Sequence, residues 1–198
     1  MSRMVDSLFE SNTQVSFQPG ATPYQGDRRY LSFTSLGLIY TIKTDDVSNV
    51  SVEFHDRSQR PFHFVDHHHF DCACLGESGA IFSNEMSGSN PSTLFFKPFD
   101  SWSTKDDWTI EFDMMESAKV LALTGKGPVV ATDQNYLRFF SYSGIQNYIR
   151  CLNGPIVSMA GSRKLLFIVY QAGVVFHSKF SFLLTARRPM SRLYYYEC

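Results

Sequence analysis

Apolar positions along the chain come in short runs rather than in long helical stripes. From Arg29 onward, apolar or alternating segments occupy residues 30–33, 37–42, 50–55, 70–75, 80–83, 93–99 and 108–112. The series continues at 120–123, 129–132, 137–142, 156–159 and 165–170. Each is of strand length, since strands usually run about 3–10 residues. Nowhere is a 3.6-residue spacing kept over a dozen positions, and residues 114–119 have room for a single helical turn. The pattern predicts antiparallel β-structure almost throughout. In the last two runs, strict alternation assigns Val157, Met159, Phe167 and Val169 to the interior face.

Turn chemistry punctuates these runs. Ser35-Leu36-Gly37, Thr44-Asp45-Asp46, Gly76-Glu77-Ser78-Gly79 and Ser87-Gly88-Ser89-Asn90-Pro91 separate the early strands. Gly125-Lys126-Gly127-Pro128, Asp133-Gln134-Asn135, Ser143-Gly144 and Asn153-Gly154-Pro155 separate the later ones. Glycine supplies positive φ and proline a fixed φ, so such clusters reverse the chain between strands. A weak repeat underlies the series. Val120-Leu121-Ala122-Leu123-Thr124-Gly125 and Ile156-Val157-Ser158-Met159-Ala160-Gly161 share one plan: a short apolar strand closing on glycine, a polar turn, then a second apolar strand. Phe70 to Gly76, followed by Ala80-Ile81-Phe82, repeats it upstream.

The repeat spacing brackets the roughly 40–45 residues of a propeller blade. The sequence therefore predicts an all-β fold, an incomplete β-propeller of about three blades of antiparallel strands. Rings close with about 4–8 blades, so about three cannot close one. The implied organisation is an irregular leader over residues 1–22, propeller over 23–173, and a divergent tail over 174–198.

Composition narrows the function classes. Eighteen Lys and Arg stand against nineteen Asp and Glu, a formal net charge of −1. A broad nucleic-acid grip needs a basic surface, so direct nucleic-acid binding by this segment is disfavoured. Aromatic residues make up 15%, an enrichment suited to half-buried pleated surfaces. No run reaches the roughly 18 apolar residues of a membrane helix, and no secretion-signal pattern opens the chain, so no membrane is expected. The four cysteines, Cys72, Cys74, Cys151 and Cys198, are scattered without a disulfide-framework spacing, as in a reducing compartment.

Four segments carry residue types that chemistry uses. Asp66-His67-His68-His69-Phe70-Asp71-Cys72-Ala73-Cys74 has zinc-type ligands, but adjacent histidines on a strand face opposite ways and no second ligand pair lies at a zinc-finger offset. It reads as a polar loop entering an apolar strand. His55-Asp56 with Ser58 lacks the Gly-x-Ser-x-Gly elbow of a hydrolase, and His55-Asp56 reads as a strand end bonded to turn backbone. Gly125-Lys126-Gly127-Pro128 lacks the phosphate-loop spacing and is a hairpin turn. Trp102 and Trp108 are candidates for an exposed contact pair, with packing at a blade edge favoured. Arg187-Arg188 falls short of a basic import signal. No catalytic, cofactor-binding or metal residue is assigned, and no cofactor or small-molecule substrate is expected.

Several segments together are similar to one family. They are Phe17-Gln18-Pro19 with Thr22-Pro23, Gly37-Leu38-Ile39, Val52-Glu53-Phe54-His55-Asp56, and Ser101-Trp102 through Asp107-Trp108-Thr109-Ile110. The sharpest is Gly154-Pro155-Ile156-Val157-Ser158-Met159-Ala160-Gly161 followed by Leu165-Leu166-Phe167-Ile168-Val169-Tyr170. Over residues 17–173 the chain resembles the middle propeller, also called the SepB or minichromosome-loss domain, of the WD repeat and HMG-box DNA-binding protein family of replisome adaptors. The resemblance implies a six-bladed parent propeller, nuclear localisation and a non-enzymatic scaffold linking the replicative helicase to DNA polymerase α. It implies protein partners: the helicase assembly, DNA polymerase α and the other copies of a homotrimer. Client capture and DNA contact belong in that family to a helical bundle and an HMG box, neither of which this segment matches. Outside the resemblance, the residues admit a general propeller-type interaction module, or a small metal-binding β protein centred on His67 to Cys74.

Overall fold

The computed structural model describes residues 14–44, 47–99, 107–171, 178–184 and 193–197, the last two segments as backbone strands. Sixteen strands form four sheets, each a four-strand antiparallel meander. The first sheet holds β1 (Arg28–Phe33), β2 (Gly37–Lys43), β3 (Ser48–Phe54) and β4 (Phe62–Asp66). The second holds β5 (Cys72–Leu75), β6 (Gly79–Ser83), β7 (Thr93–Pro98) and β8 (Trp108–Glu111). The third holds β9 (Ala118–Thr124), β10 (Gly127–Thr132), β11 (Tyr136–Phe140) and β12 (Gln146–Cys151). The fourth holds β13 (Ile156–Gly161), β14 (Leu165–Gln171), β15 (Ser178–Leu184) and β16 (Leu193–Glu197). No helix occurs among the described residues, and 113–116 forms only a turn closed by the Glu116 N–H on the Asp113 carbonyl.

The first strands of successive sheets stand side by side, β1 against β5, β5 against β9, and β9 against β13. The sheets therefore stack face to face around a common inner edge, the arrangement of propeller blades, in an array that does not close. Four sheets stand where the sequence pattern counts about three. The excess lies in strands the pattern passes over: β4, β12, and the pair β15 and β16, which carry the fourth sheet past residue 173.

Three apolar seams hold the stack. Leu31, Ile39, Val50 and Val52 of the first sheet pack on Ala73, Leu75, Ala80 and Phe82 of the second. Cys72, Ile81, Leu94 and Phe96 leave the second sheet's other face to meet Leu121, Leu123, Val130 and Phe140. Val120, Ala122, Val129 and Ala131 then meet Ile156, Met159, Leu166 and Ile168. Because side chains alternate between faces, a middle sheet covered on both sides buries successive residues rather than alternate ones. That is why β6 and β10 are buried at every residue.

The glycines that close the sequence repeat mark where sheets approach most closely. A Cβ on Gly161 would stand 2.0 Å from the Leu123 carbonyl oxygen, a distance no side chain tolerates. Arg138, partly buried beside Phe112, is bound to Glu116: its Nε donates at 2.8 Å to Oε1 while Nη2 pairs with Oε2. Burial alone would raise the Glu116 carboxyl, but the hydrogen bonds from Arg138 and the arginine charge hold it below the usual range.

The interior assignment for the fourth sheet needs correction. Met159 is buried, but Val157, Phe167 and Val169 are only partly covered, and Ile156, Leu166, Ile168 and Tyr170 fill the seam instead. In β14 the alternation is regular and the inward face is the one that carries Leu166, Ile168 and Tyr170; in β13 the cause is a bulge. Ile156 pairs with Tyr170 and Ser158 with Val169, leaving Val157 as an extra residue, so one alternation cannot serve both ends of β13.

Candidate functional site: the strapped inner edge

Strands β5, β9 and β13 pair on one side only within their sheets, so alternate backbone groups on their inner edges have no ladder partner. In β9, Leu121 sits opposite Val130 in the pair that exchanges no ladder bonds, and both its N–H and its C=O face inward. Buried groups of this kind need partners from elsewhere.

The leader supplies them. Gln18, only 8% exposed, donates from Nε2 to the Leu121 carbonyl at 3.0 Å and accepts the Leu121 N–H on Oε1 at 2.8 Å. Its carboxamide reproduces the donor and acceptor of a neighbouring strand. The Cys72 thiol donates to the same Oε1 at 3.2 Å. One residue earlier, the Phe17 N–H donates at 2.9 Å to the carbonyl of Val157, the bulge residue, and Ser158 Oγ donates at 3.1 Å to the Phe17 carbonyl.

A turn closed by the Ala21 N–H on the Gln18 carbonyl at 3.1 Å then redirects the chain. Pro19 takes its second position and Gly20, at φ +80°, its third, which is the requirement of a type II turn. The Thr22 N–H donates to the Tyr30 carbonyl at 2.9 Å, and Arg29 Nε donates to the Thr22 carbonyl at 2.9 Å. Residues 17–22 thus bond to all four sheets: to β1, to Cys72 of β5, to Leu121 of β9 and to the bulge of β13.

Beside the leader lies a half-open cavity of about 360 Å³ lined by Phe17, Gln18, Arg29, Asp71, Cys72 and Lys119, among others. Burial pushes the Asp71 carboxyl up to about 6; the Glu85 N–H bonded to it opposes the shift, the Glu85 charge adds to it and Arg29 opposes it. Lys119 Nζ meets Glu85 Oε2 at 2.8 Å across the rim. Mixed charge beside a carboxamide that reads backbone suits an extended peptide better than an anion or a metal.

The residues singled out by chemistry type lie elsewhere or serve as architecture. Asp66, buried, accepts the His68 N–H on Oδ1 at 2.8 Å and the Phe70 N–H on Oδ2 at 2.7 Å, and so shapes the 67–69 loop. His69 takes φ +55° there, and the His68 ring stacks on Phe70 at 5.5 Å. Cys72 and Cys74 point into the second seam, where burial pushes both thiols up, Cys74 to about 11. No three metal-ligand side chains converge among the described residues. His55 bonds the Thr34 carbonyl through Nε2 at 3.1 Å, while Asp56 accepts the Ser58 N–H at 2.9 Å, so the three do not form a relay. Gly125 to Gly127 is the β9–β10 hairpin, its Gly125 N–H on the Arg163 carbonyl at 3.2 Å. Trp108 stacks on Phe96 at 5.4 Å and donates from Nε1 to the Tyr142 carbonyl at 3.0 Å, joining the second and third sheets. Trp102, Cys198 and Arg187-Arg188 lie outside the described residues.

Sequence reasoning missed Gln18 because a lone amide in an aperiodic leader carries no hydrophobic signal. The available clue was the Pro19-Gly20 turn pair beside it.

Four meanders stacked around a strapped inner edge define a propeller-like β scaffold. Residues 15–195 match the family described as Minichromosome loss protein, Mcl1, middle region, and the chain belongs to that family. It is 40% identical over 161 residues to Protein ENHANCER OF LHP1 1 of Arabidopsis thaliana, covering 79% of this chain and 17% of that protein. It is 31% identical over 172 residues to WD repeat and HMG-box DNA-binding protein 1 of Homo sapiens, covering 86% and 15%. Against the DNA polymerase alpha-binding protein of Saccharomyces cerevisiae the identity is 28% over 185 residues, covering 91% and 19%. The chain spans under a fifth of the length of each of these three relatives. The family is one of replication-related adaptors.

Proposed function

We propose that this chain is a non-enzymatic scaffold segment of a nuclear replication adaptor, one that links the replicative helicase to DNA polymerase α. The observation that supports this reading is the family match over residues 15–195, which spans all four sheets and begins within the leader that ties them. The name of the yeast relative, a DNA polymerase alpha-binding protein, supports one of the two partners. On this reading the segment takes no cofactor, metal or small-molecule substrate, its partners are proteins, among them further copies of family members, and nucleic acid is left to other parts of the parent. The use of Asp66, Cys72 and Cys74 in a loop and a seam is consistent with that role.

The test is recovery of the tagged chain from nuclear extract followed by mass spectrometry. Enrichment of helicase and DNA polymerase α subunits, directly or through co-assembled family members, is expected. Enrichment of a partner set without replication proteins would favour a general interaction module and overturn the proposal.

A further inference from the structure

The leader makes the contacts of a bound peptide rather than those of a linker. Its Phe17 N–H and C=O bond the β13 bulge, and its Gln18 side chain bonds both backbone groups of Leu121 and the Cys72 thiol. On the receiving side the Leu121 N–H and C=O and the Val157 carbonyl are backbone groups that the sheets leave open, and Cys72 and Ser158 add side-chain donors. The bulge in β13 adds to the fit, because the extra residue is the one whose carbonyl accepts the Phe17 N–H. Val15 and Phe17 themselves are exposed, at 77% and 54%, so the segment is held by hydrogen bonds and not by an apolar anchor. A segment attached that way is ordered by interactions worth about 0.5–1.5 kcal/mol each and is released when a few of them fail.

We propose that the inner edges of β9 and β13 form a recognition groove for a Phe-Gln-Pro segment, that residues 14–21 are its internal ligand, and that the same groove accepts this segment from a second copy of the chain. Recognition follows the logic of strand addition, in which main-chain hydrogen bonds give affinity and one side chain gives selectivity. Gln18 is the selective residue. Asn is one methylene too short to reach Leu121, and Glu keeps an acceptor but loses the donor to the Leu121 carbonyl.

The test uses the full chain and two reporters that the groove covers: amide exchange at Leu121 and alkylation of Cys72. In the unmodified chain, Leu121 and Phe17 amides should exchange together, and faster than Ala122, whose pairing with Val129 places it in the β9–β10 ladder. This arm needs no variant and so is independent of folding defects. Leu121 exchanging with the Ala122 pool while Phe17 is unprotected would overturn the proposal. In Gln18→Ala, Leu121 exchange and Cys72 alkylation should rise by at least about tenfold, as expected for losing several buried hydrogen bonds. A synthetic peptide of residues 14–22 should then restore both, whereas the same peptide carrying Gln18→Ala should not. Unchanged protection in the variant, or restoration by both peptides or by neither, would overturn it.

Discussion

At the residue scale, Asp71 is a carboxyl group pushed well above its ordinary range. Its carboxyl stands at about 6 in the folded protein, mainly through burial beside the leader. A folded pKa above the unfolded one means the native state binds the proton more tightly. Asp71 therefore favours the fold when protonated, and that contribution is lost as pH rises from about 4 through 6. Above that window the ionised carboxylate opposes folding. Asp71→Asn keeps an oxygen for the Glu85 N–H and removes the charge, so at pH 7 it should raise unfolding free energy by about 1–2 kcal/mol. Near pH 4 the gain should shrink toward zero. Urea denaturation of both chains at the two pH values measures this, and an equal gain at both would assign the effect to something other than ionisation.

At the element scale, the first two strands of every blade are legible in the sequence and the outer ones often are not. The strands that alternation passed over, β4 and β12 among them, are the outermost of their sheets. All six residues of β12 are exposed, so nothing selects apolar side chains at alternate positions. Register is fixed by burial in the same way. In β14 the seam takes Leu166, Ile168 and Tyr170, while Phe167 and Val169 face the side without a further sheet. Ile168→Asp should therefore cost several kcal/mol through an uncompensated buried charge, as should Met159→Asp, while Val169→Asp should cost clearly less. Chemical denaturation of the three variants checks this, and an order with Val169→Asp the most damaging would restore the simple alternation.

At the scale of the whole molecule, the open stack leaves the outer face of the first sheet uncovered by any other described sheet. On the first sheet that face is dressed for water in part: Arg28 lies over the Tyr40 ring at 3.9 Å and the Tyr40 hydroxyl donates to Glu53 at 2.9 Å. Ile42 and Val65, 40% and 51% exposed, lie outside that network. Uncovered apolar faces and free strand edges favour association. The chain as it stands should self-associate with rising concentration in size-exclusion chromatography with light scattering. A monodisperse monomer with a sharp cooperative melt would show that four sheets suffice as a self-contained domain.

What the sequence determined by itself is the local grammar: strand-length runs, glycine and proline turns, and the propeller-like class that their repetition implies. These follow from near-neighbour chemistry, because the period of the backbone and the φ requirements of turns are properties of a few consecutive residues. Only the tertiary structure decided the rest. It set the bulge at Val157, because a bulge answers to the partner strand and to the leader carbonyl and N–H that meet it. It also turned an aperiodic leader into a strap, because Gln18 acquires meaning only opposite Leu121, 103 positions away, where two inward-facing backbone groups have no other partner.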